Sequence, residues 1–240
     1  MPMSELRALV FDVFGTVVDW RSGIAAEAAP FLARHGATRV DPFAFADGWR
    51  RLYQPAMEAV RSGTRAFVRL DVLHRESLDT VLREVGLDPG RLPSAELDAL
   101  TLAWHRLDPW PDVLPGLQRL KQHYLIAPLS NGNISLIVDM ARRAGFAWDA
   151  ILGAELARAY KPSAQVYLSA AESLGLQPAE VCLVAAHNDD LAAARHCGLA
   201  TAFVARPSEH GPAQSSDLHA EQAWDLVAPD FETLAERLGA

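Results

Sequence analysis

The feature that most limits how this chain can fold is an interruption in its strand pattern. Residues 6–12, LRALVFD, form a short apolar run that ends in a carboxylate and leads to Gly15. Such a run reads as a buried parallel strand that delivers Asp12 to a loop at its C-terminal edge. Strand-like sequence then disappears. From about residue 22 to residue 106 the pattern is helical: IAAEAAPFLARH, FAFADGWRRLYQPAMEAVRS, FVRLDVLHRESLDTVLREVG and a stretch opened by Pro93 and Ser94. Pro55 lies inside the second of these and is expected to kink or break it, because proline lacks the N–H that a helix interior requires.

Past Pro109 and Pro111 strands return in alternation with helices. YLIAPLS (124–130) reads as a strand, with Asn133 placed to cap the helix that follows. AILG (150–153) is a weaker strand, and Ser163 is placed to cap the next helix. VCLVAA (181–186) is the clearest strand, followed by a helix with two acids in its first turn. TAFVA (201–205), a polar loop (206–223), a short strand near 224–227 and a final helix, FETLAERLG, complete the pattern. Alternation of this kind implies right-handed crossovers and a doubly wound parallel sheet. The expectation is therefore an α/β core from residues 1–18 and 108–240, interrupted by a helical cap from 19 to 107.

Composition narrows the classes of function. The 240 residues are half hydrophobic, enough for a sizeable core, and carry a net charge of −8 with no basic block. That argues against nucleic acid and anionic membranes as partners, but not against a small anion in a locally positive pocket. No apolar stretch approaches the ~18 residues that span a bilayer. The start, MPMSELRALVF, has none of the features of a signal peptide. Cys182 and Cys197 form no metal or CxxC pattern and read as reduced, packed thiols of a cytoplasmic protein.

In open α/β sheets chemistry collects at the carboxyl ends of strands. Here those ends carry Asp12, Ser130, the loop with Lys161, and His187 with Asn188, Asp189 and Asp190. A carboxylate is a modest nucleophile that becomes competent when dry, oriented and in line with its target. Each residue alone has a bland reading: Asn133 as a helix cap, Lys161 as a surface lysine, the acids as a charge bias at a helix N-terminus. Their convergence at four strand ends is the signal.

Asp12-Val13-Phe14-Gly15-Thr16, Ser130-Asn131-Gly132-Asn133, Lys161 in Tyr160-Lys161-Pro162, and His187-Asn188-Asp189-Asp190 resemble, in order, the four motifs of the haloacid dehalogenase-like superfamily. The resemblance spans essentially the whole chain. It implies a Rossmann-like core with an inserted cap and makes Asp12 the nucleophile. Phosphatases of the superfamily carry a general acid two residues after that aspartate. Here the position is Phe14, which can form an apolar wall or simply pack, and a departing halide needs no proton.

FDVFGTVVDW, Trp49-Arg50, Ser130-Asn131-Gly132, and Lys161 with Tyr167 further resemble the type II 2-haloacid dehalogenases. That resemblance makes Arg50 the halide-binding cation, assisted by Asn131. Ser130, Lys161 and Thr16 orient the nucleophile or hold the substrate carboxylate, Asp190 aids water, and Tyr167 and Asn188 support the site. It implies no metal and no cofactor. The expected partner is a small anionic haloacid, with at most a second copy of the chain in a homodimer.

Arg50 can also be read as a solvated helix arginine beside Arg51, and Tyr167 as core packing. Trp20, Trp49, Tyr53 and Trp110 either wall a dry pocket or pack between the parts. The chain departs from the type II pattern at Ala185 and His187, where a serine and an asparagine are common. His187 is either a replacement that favours small substrates and fluoride, or a structural residue. Two rivals stand beside this reading: a magnesium-dependent phosphatase or phosphonate hydrolase, and a non-catalytic binding member of the fold.

Overall fold

The computed structural model describes residues 5–240. Residues 1–4, the start of the expected core and of the stretch read as lacking a signal peptide, lie outside the described residues. A six-stranded, all-parallel sheet has the order β3-β2-β1-β4-β5-β6. The strands are β1 (Ala8–Phe11), β2 (Leu125–Ser130), β3 (Leu152–Gly153), β4 (Val181–Ala185), β5 (Ala200–Val204) and β6 (Leu226–Ala228). The strand read weakly over 150–153 is only two residues long.

β1 is buried on both faces, as its unbroken apolar run requires. Leu9 and Phe11 point to one layer, where Phe11 stacks on Phe231 at 5.6 Å. Ala8 and Val10 point to the other, packed with Val166 and Leu191. Strand order reverses between β1 and β4, so a crevice opens at the C-terminal end of β1, where Asp12 follows.

Between β1 and β2 the chain contains no strand. It forms α1 (Trp20–Arg34), α2 (Pro42–Arg51), α3 (Tyr53–Arg61), α4 (Leu70–Glu84) and α5 (Ser94–Thr101), and then a 3₁₀ turn over Leu102–His105. The break expected from Pro55 falls at Leu52, between α2 and α3. Proline is thereby placed in the first turn of α3, where its missing N–H costs nothing.

The remaining helices are α6 (Val113–Leu120), α7 (Ile134–Ala144), α8 (Ala154–Ala157), α9 (Ala164–Ser173), α10 (Asn188–His196) and α11 (Phe231–Arg237). Asn133 and Ser163 occupy the positions just before α7 and α9, but neither side chain makes the expected capping bond. Asn133 turns its amide to Asp71 of α4, and Glu155 accepts from the Ile134 N–H instead, at 2.7 Å. Among the described residues, no helix is long and apolar enough to cross a membrane.

Candidate active site

Asp12 sits at the centre of three donors. Its Oδ1 accepts from Lys161 Nζ at 2.8 Å, and its Oδ2 accepts from Thr16 Oγ1 at 2.8 Å and lies 3.1 Å from His187 Nδ1. Thr16 is fixed in turn, because its hydroxyl oxygen accepts from the Ala186 N–H at 2.9 Å. Burial opposes ionisation of Asp12, but the charges and hydrogen bonds of Lys161 and His187 outweigh it and hold the carboxyl well below the usual range. The result is a carboxylate held ionised, oriented and 8% exposed at a strand end.

Lys161 bridges two acids. Its ammonium donates to Asp12 and, at 2.5 Å, to Asp190 Oδ2. The other oxygen of Asp190 accepts from the Tyr167 hydroxyl at 2.5 Å. One Asp190 oxygen therefore meets Lys161 and the other is held by Tyr167, which fixes the carboxylate beside Asp12. Desolvation works against the lysine charge, yet its two carboxylates raise its pKa above the ordinary lysine range. Tyr167, fully buried and ligated to Asp190, is more than core packing.

His187 reaches further than its motif position suggested. Its Nδ1 faces Asp12 and its Nε2 lies 2.9 Å from Glu209 Oε2. A carboxylate can only accept, so both ring nitrogens donate and the ring is an imidazolium. Burial disfavours that charge, but Glu209 and Asp12 push the pKa well above its ordinary value. Glu209 is 1% exposed and also accepts from Trp20 Nε1 at 2.9 Å. Its own pKa falls to about 2, because His187 outweighs the effect of burial.

Sequence reasoning missed Glu209, which lies in the segment read only as a polar loop. That loop is anchored at both ends. Arg206 donates to the Thr16 carbonyl at 3.0 Å and pairs with Asp112. Asn188 accepts from Glu221 N and Trp224 Nε1 and donates to Asp217, so these bonds hold the loop rather than Asp12.

A cavity of about 940 Å³ opens above these groups, lined among others by Asp12, Phe14, Arg50, Asn131, Lys161 and His187. Arg50 of α2 stands in an aromatic box. Its guanidinium carbon lies 4.0 Å from the Tyr53 ring centre, 5.2 Å from Trp20 and 5.7 Å from Phe14. Its Nη1 is buried without a hydrogen-bond partner. A half-buried cation with a buried, unused donor beside apolar rings suits a weakly hydrated anion.

Asn131 accepts from the Lys161 N–H at 2.8 Å and also lines the cavity. Ser130 does not line it: the side chain is fully buried, and Oγ accepts from the Gly132 N–H at 2.9 Å. Of the four aromatics, Trp20 and Tyr53 line the cavity. Trp49 and Trp110 pack behind it, each donating its indole N–H to a carbonyl, of His74 and Gly15 respectively.

Comparison with known proteins agrees with this geometry. Residues 6–198 match the family described as haloacid dehalogenase-like hydrolases. The (S)-2-haloacid dehalogenase 4A of Burkholderia cepacia is 28% identical over 255 residues, covering 97% of this chain and 100% of that protein. A crystal structure of a defluorinating L-2-haloacid dehalogenase is 57% identical with a TM-score of 0.96, covering 98% of this chain and 96% of the other. The L-2-haloacid dehalogenase of Xanthobacter autotrophicus, with chloropropionic acid covalently bound, is 25% identical with a TM-score of 0.81, covering 98% and 99%. The chain belongs to the haloacid dehalogenase-like hydrolases.

Proposed function

We propose that the protein hydrolyses short (S)-2-haloacids to 2-hydroxy acids through an ester on Asp12. The observation that carries this reading is the pairing of an ionised, desolvated Asp12 with the unpartnered Arg50 donor across one cavity. The helical segment between β1 and β2 serves as the cap that brings Arg50 over the nucleophile. The names of the relatives support the substrate class, and the covalent adduct in one of them supports the ester.

In the first step an Asp12 oxygen attacks the carbon that bears the halogen, from the side opposite the leaving halide. The configuration inverts, and halide departs toward Arg50 and Asn131. Lys161 uses two of its three N–H donors on Asp12 and Asp190, and the third is free to hold the substrate carboxylate. Ser130 shapes the turn that presents Asn131.

Esterification removes the charge of Asp12, so His187 keeps Glu209 as its one carboxylate partner and releases a proton to solvent. The neutral ring then takes a proton from water as the water attacks the Asp12 carbonyl carbon. The tetrahedral adduct collapses to 2-hydroxy acid, carboxylate and imidazolium, restoring the starting state. Chloride and bromide leave more readily than fluoride, so chloro- and bromoacids are the easier substrates, while the defluorinating relative supports fluoroacids as well.

The donor set does not favour the magnesium-dependent rival. Position 14 is Phe, and the ammonium of Lys161 bridges Asp12 and Asp190, where a cation between these acids would sit. The unpaired thiols of Cys182 and Cys197 support a cytoplasmic setting. Halide release from chloro-, bromo- and fluoroacetate and both enantiomers of 2-chloropropionate tests the reading. Release from the (S) enantiomer, lost in Asp12→Asn, is expected. No release from any of them contradicts it.

A further inference from the structure

The turn that carries Asn131 is fastened to the helical insertion by bonds that the chemistry above does not use. Asn133 accepts from the Asp71 N–H at 3.2 Å and donates its amide to Asp71 Oδ2 at 2.9 Å. Asn133 is 1% exposed, and Asp71 stands in the first turn of α4. The other Asp71 oxygen lies 3.1 Å from His105 Nε2, and His105 Nδ1 lies 2.8 Å from Asp139 Oδ2 on α7. Two carboxylates thus clasp a buried imidazole and draw α4 back onto α7.

The same helix reaches the halide side of the cavity. Three residues after Asp71, the His74 carbonyl accepts from Trp49 Nε1 at 3.1 Å in a buried contact, and Trp49 adjoins Arg50. At the other end, Asn131 is two residues before Asn133 and is pinned by the Lys161 N–H at 2.8 Å. A continuous route of hydrogen bonds and one helical turn therefore links Asn131, Asn133, Asp71, His74, Trp49 and Arg50.

We propose that Asp71, clasped by Asn133 and His105, is a positioning residue that sets the separation of Arg50 and Asn131, the two groups that receive the departing halide. The proposal rests on the dehalogenase reading of the cavity. A partly buried polar cluster is seldom more stabilising than an apolar one of the same shape, so direction is what these bonds contribute. The two-point contact at Asn133 fixes both the height and the rotation of α4, which a hydrophobic contact leaves looser. The insertion has other ties to the core, from Tyr160 to the Val68 carbonyl at 2.8 Å and from Arg61 to the Lys161 carbonyl at 3.2 Å. Loss of Asp71 therefore shifts Arg50 without freeing the insertion.

The test compares Asp71→Ala, Asp71→Asn and Asn133→Ser with the unaltered protein. Halide release from bromo-, chloro- and fluoroacetate is measured alongside thermal unfolding. A displaced guanidinium costs most where the leaving group depends on it most. Asp71→Ala and Asn133→Ser are therefore expected to raise KM and to lower kcat/KM for fluoroacetate by ~10-fold or more, with a smaller loss for bromoacetate. Asp71→Asn keeps the shape and an acceptor, and should recover part of the loss. Equal losses on all three substrates, or lowered unfolding temperatures with unchanged kinetics, make Asp71 a structural tie only and overturn the proposal. Should Asp71→Ala fail to fold, Asn133→Ser decides. An unaltered protein that releases no halide refutes the dehalogenase reading, and this proposal with it.

Discussion

Gly15 and Glu209 approach so closely that a Cβ atom at position 15 would lie 2.1 Å from Glu209 Oε1. Gly15 also has φ +91°, a region that side-chain-bearing residues rarely adopt. The turn after Asp12 is therefore shaped to admit the carboxylate that pairs with His187. Gly15→Ala is expected to displace Glu209 and slow ester hydrolysis by ~10-fold or more, the scale of a disturbed general base. Mass spectrometry of the Asp12 peptide during turnover checks this: ester should accumulate in Gly15→Ala and in Glu209→Gln. Slowed turnover without accumulated ester would mean that Glu209 acts before the ester forms.

The charged His187 gives stability a definite dependence on pH. Its folded-state pKa is raised well above its ordinary 6.5 by Glu209 and Asp12, against burial. A raised pKa stabilises fully below the ordinary value, and the contribution is lost as pH rises through the folded value. Asp12 has the opposite sense: its lowered pKa gives stability present above the ordinary carboxylate range, lost only as pH falls toward the depressed value. Unfolding temperature should therefore decline on the alkaline side of neutrality, and His187→Asn should flatten that decline. An equal alkaline slope in the variant counts against a charged His187.

Much of this architecture was legible in the sequence because β1, β2 and β4 are buried parallel strands whose apolar runs stand out, and they present their chemistry at or just past their ends, as the weaker β3 does through the loop to Lys161. Asp12, Lys161, His187 and Asp190 could be brought together by that rule, and Thr16 through the motif that the resemblance supplied. Glu209 could not, since its loop has no periodicity and its partners are far away in sequence: Trp20, Gly15 and His187. For the same reason Asn133 read as a helix cap, because the capping pattern is local and the competing Asp71 lies 62 positions away. Ser130 was placed at the right strand end, but sequence does not show that its hydroxyl turns into its own loop.

Chelation should leave activity intact. The ammonium of Lys161 already supplies the positive charge between Asp12 and Asp190, and a carboxylate that displaces halide needs no Lewis acid on the leaving group. Halide release after exhaustive EDTA treatment checks this directly. Loss that magnesium restores would favour the phosphatase-like alternative.

The His187 ring is bulkier than the asparagine common at this position, so it should narrow the pocket beside Asp12 and favour the smallest substrates and the smallest halogen. His187→Asn is expected to lose more activity on fluoroacetate than on chloroacetate, and longer 2-haloacids should gain relative to acetates. Parallel assays on fluoroacetate, chloroacetate and 2-chloropropionate give the comparison. Equal losses across halogens, with ester accumulating on Asp12, would confine His187 to the hydrolytic step.

The central claim is that Asp12, and not water, attacks the carbon that bears the halogen. A single turnover in heavy-oxygen water, with enzyme in excess over (S)-2-chloropropionate, tests it most directly. If Asp12 forms the ester, the first product molecule carries an unlabelled hydroxyl oxygen and one heavy oxygen appears in the Asp12 carboxylate. Label in the first product, with Asp12 unlabelled, would mean that water attacks carbon directly and would contradict the mechanism.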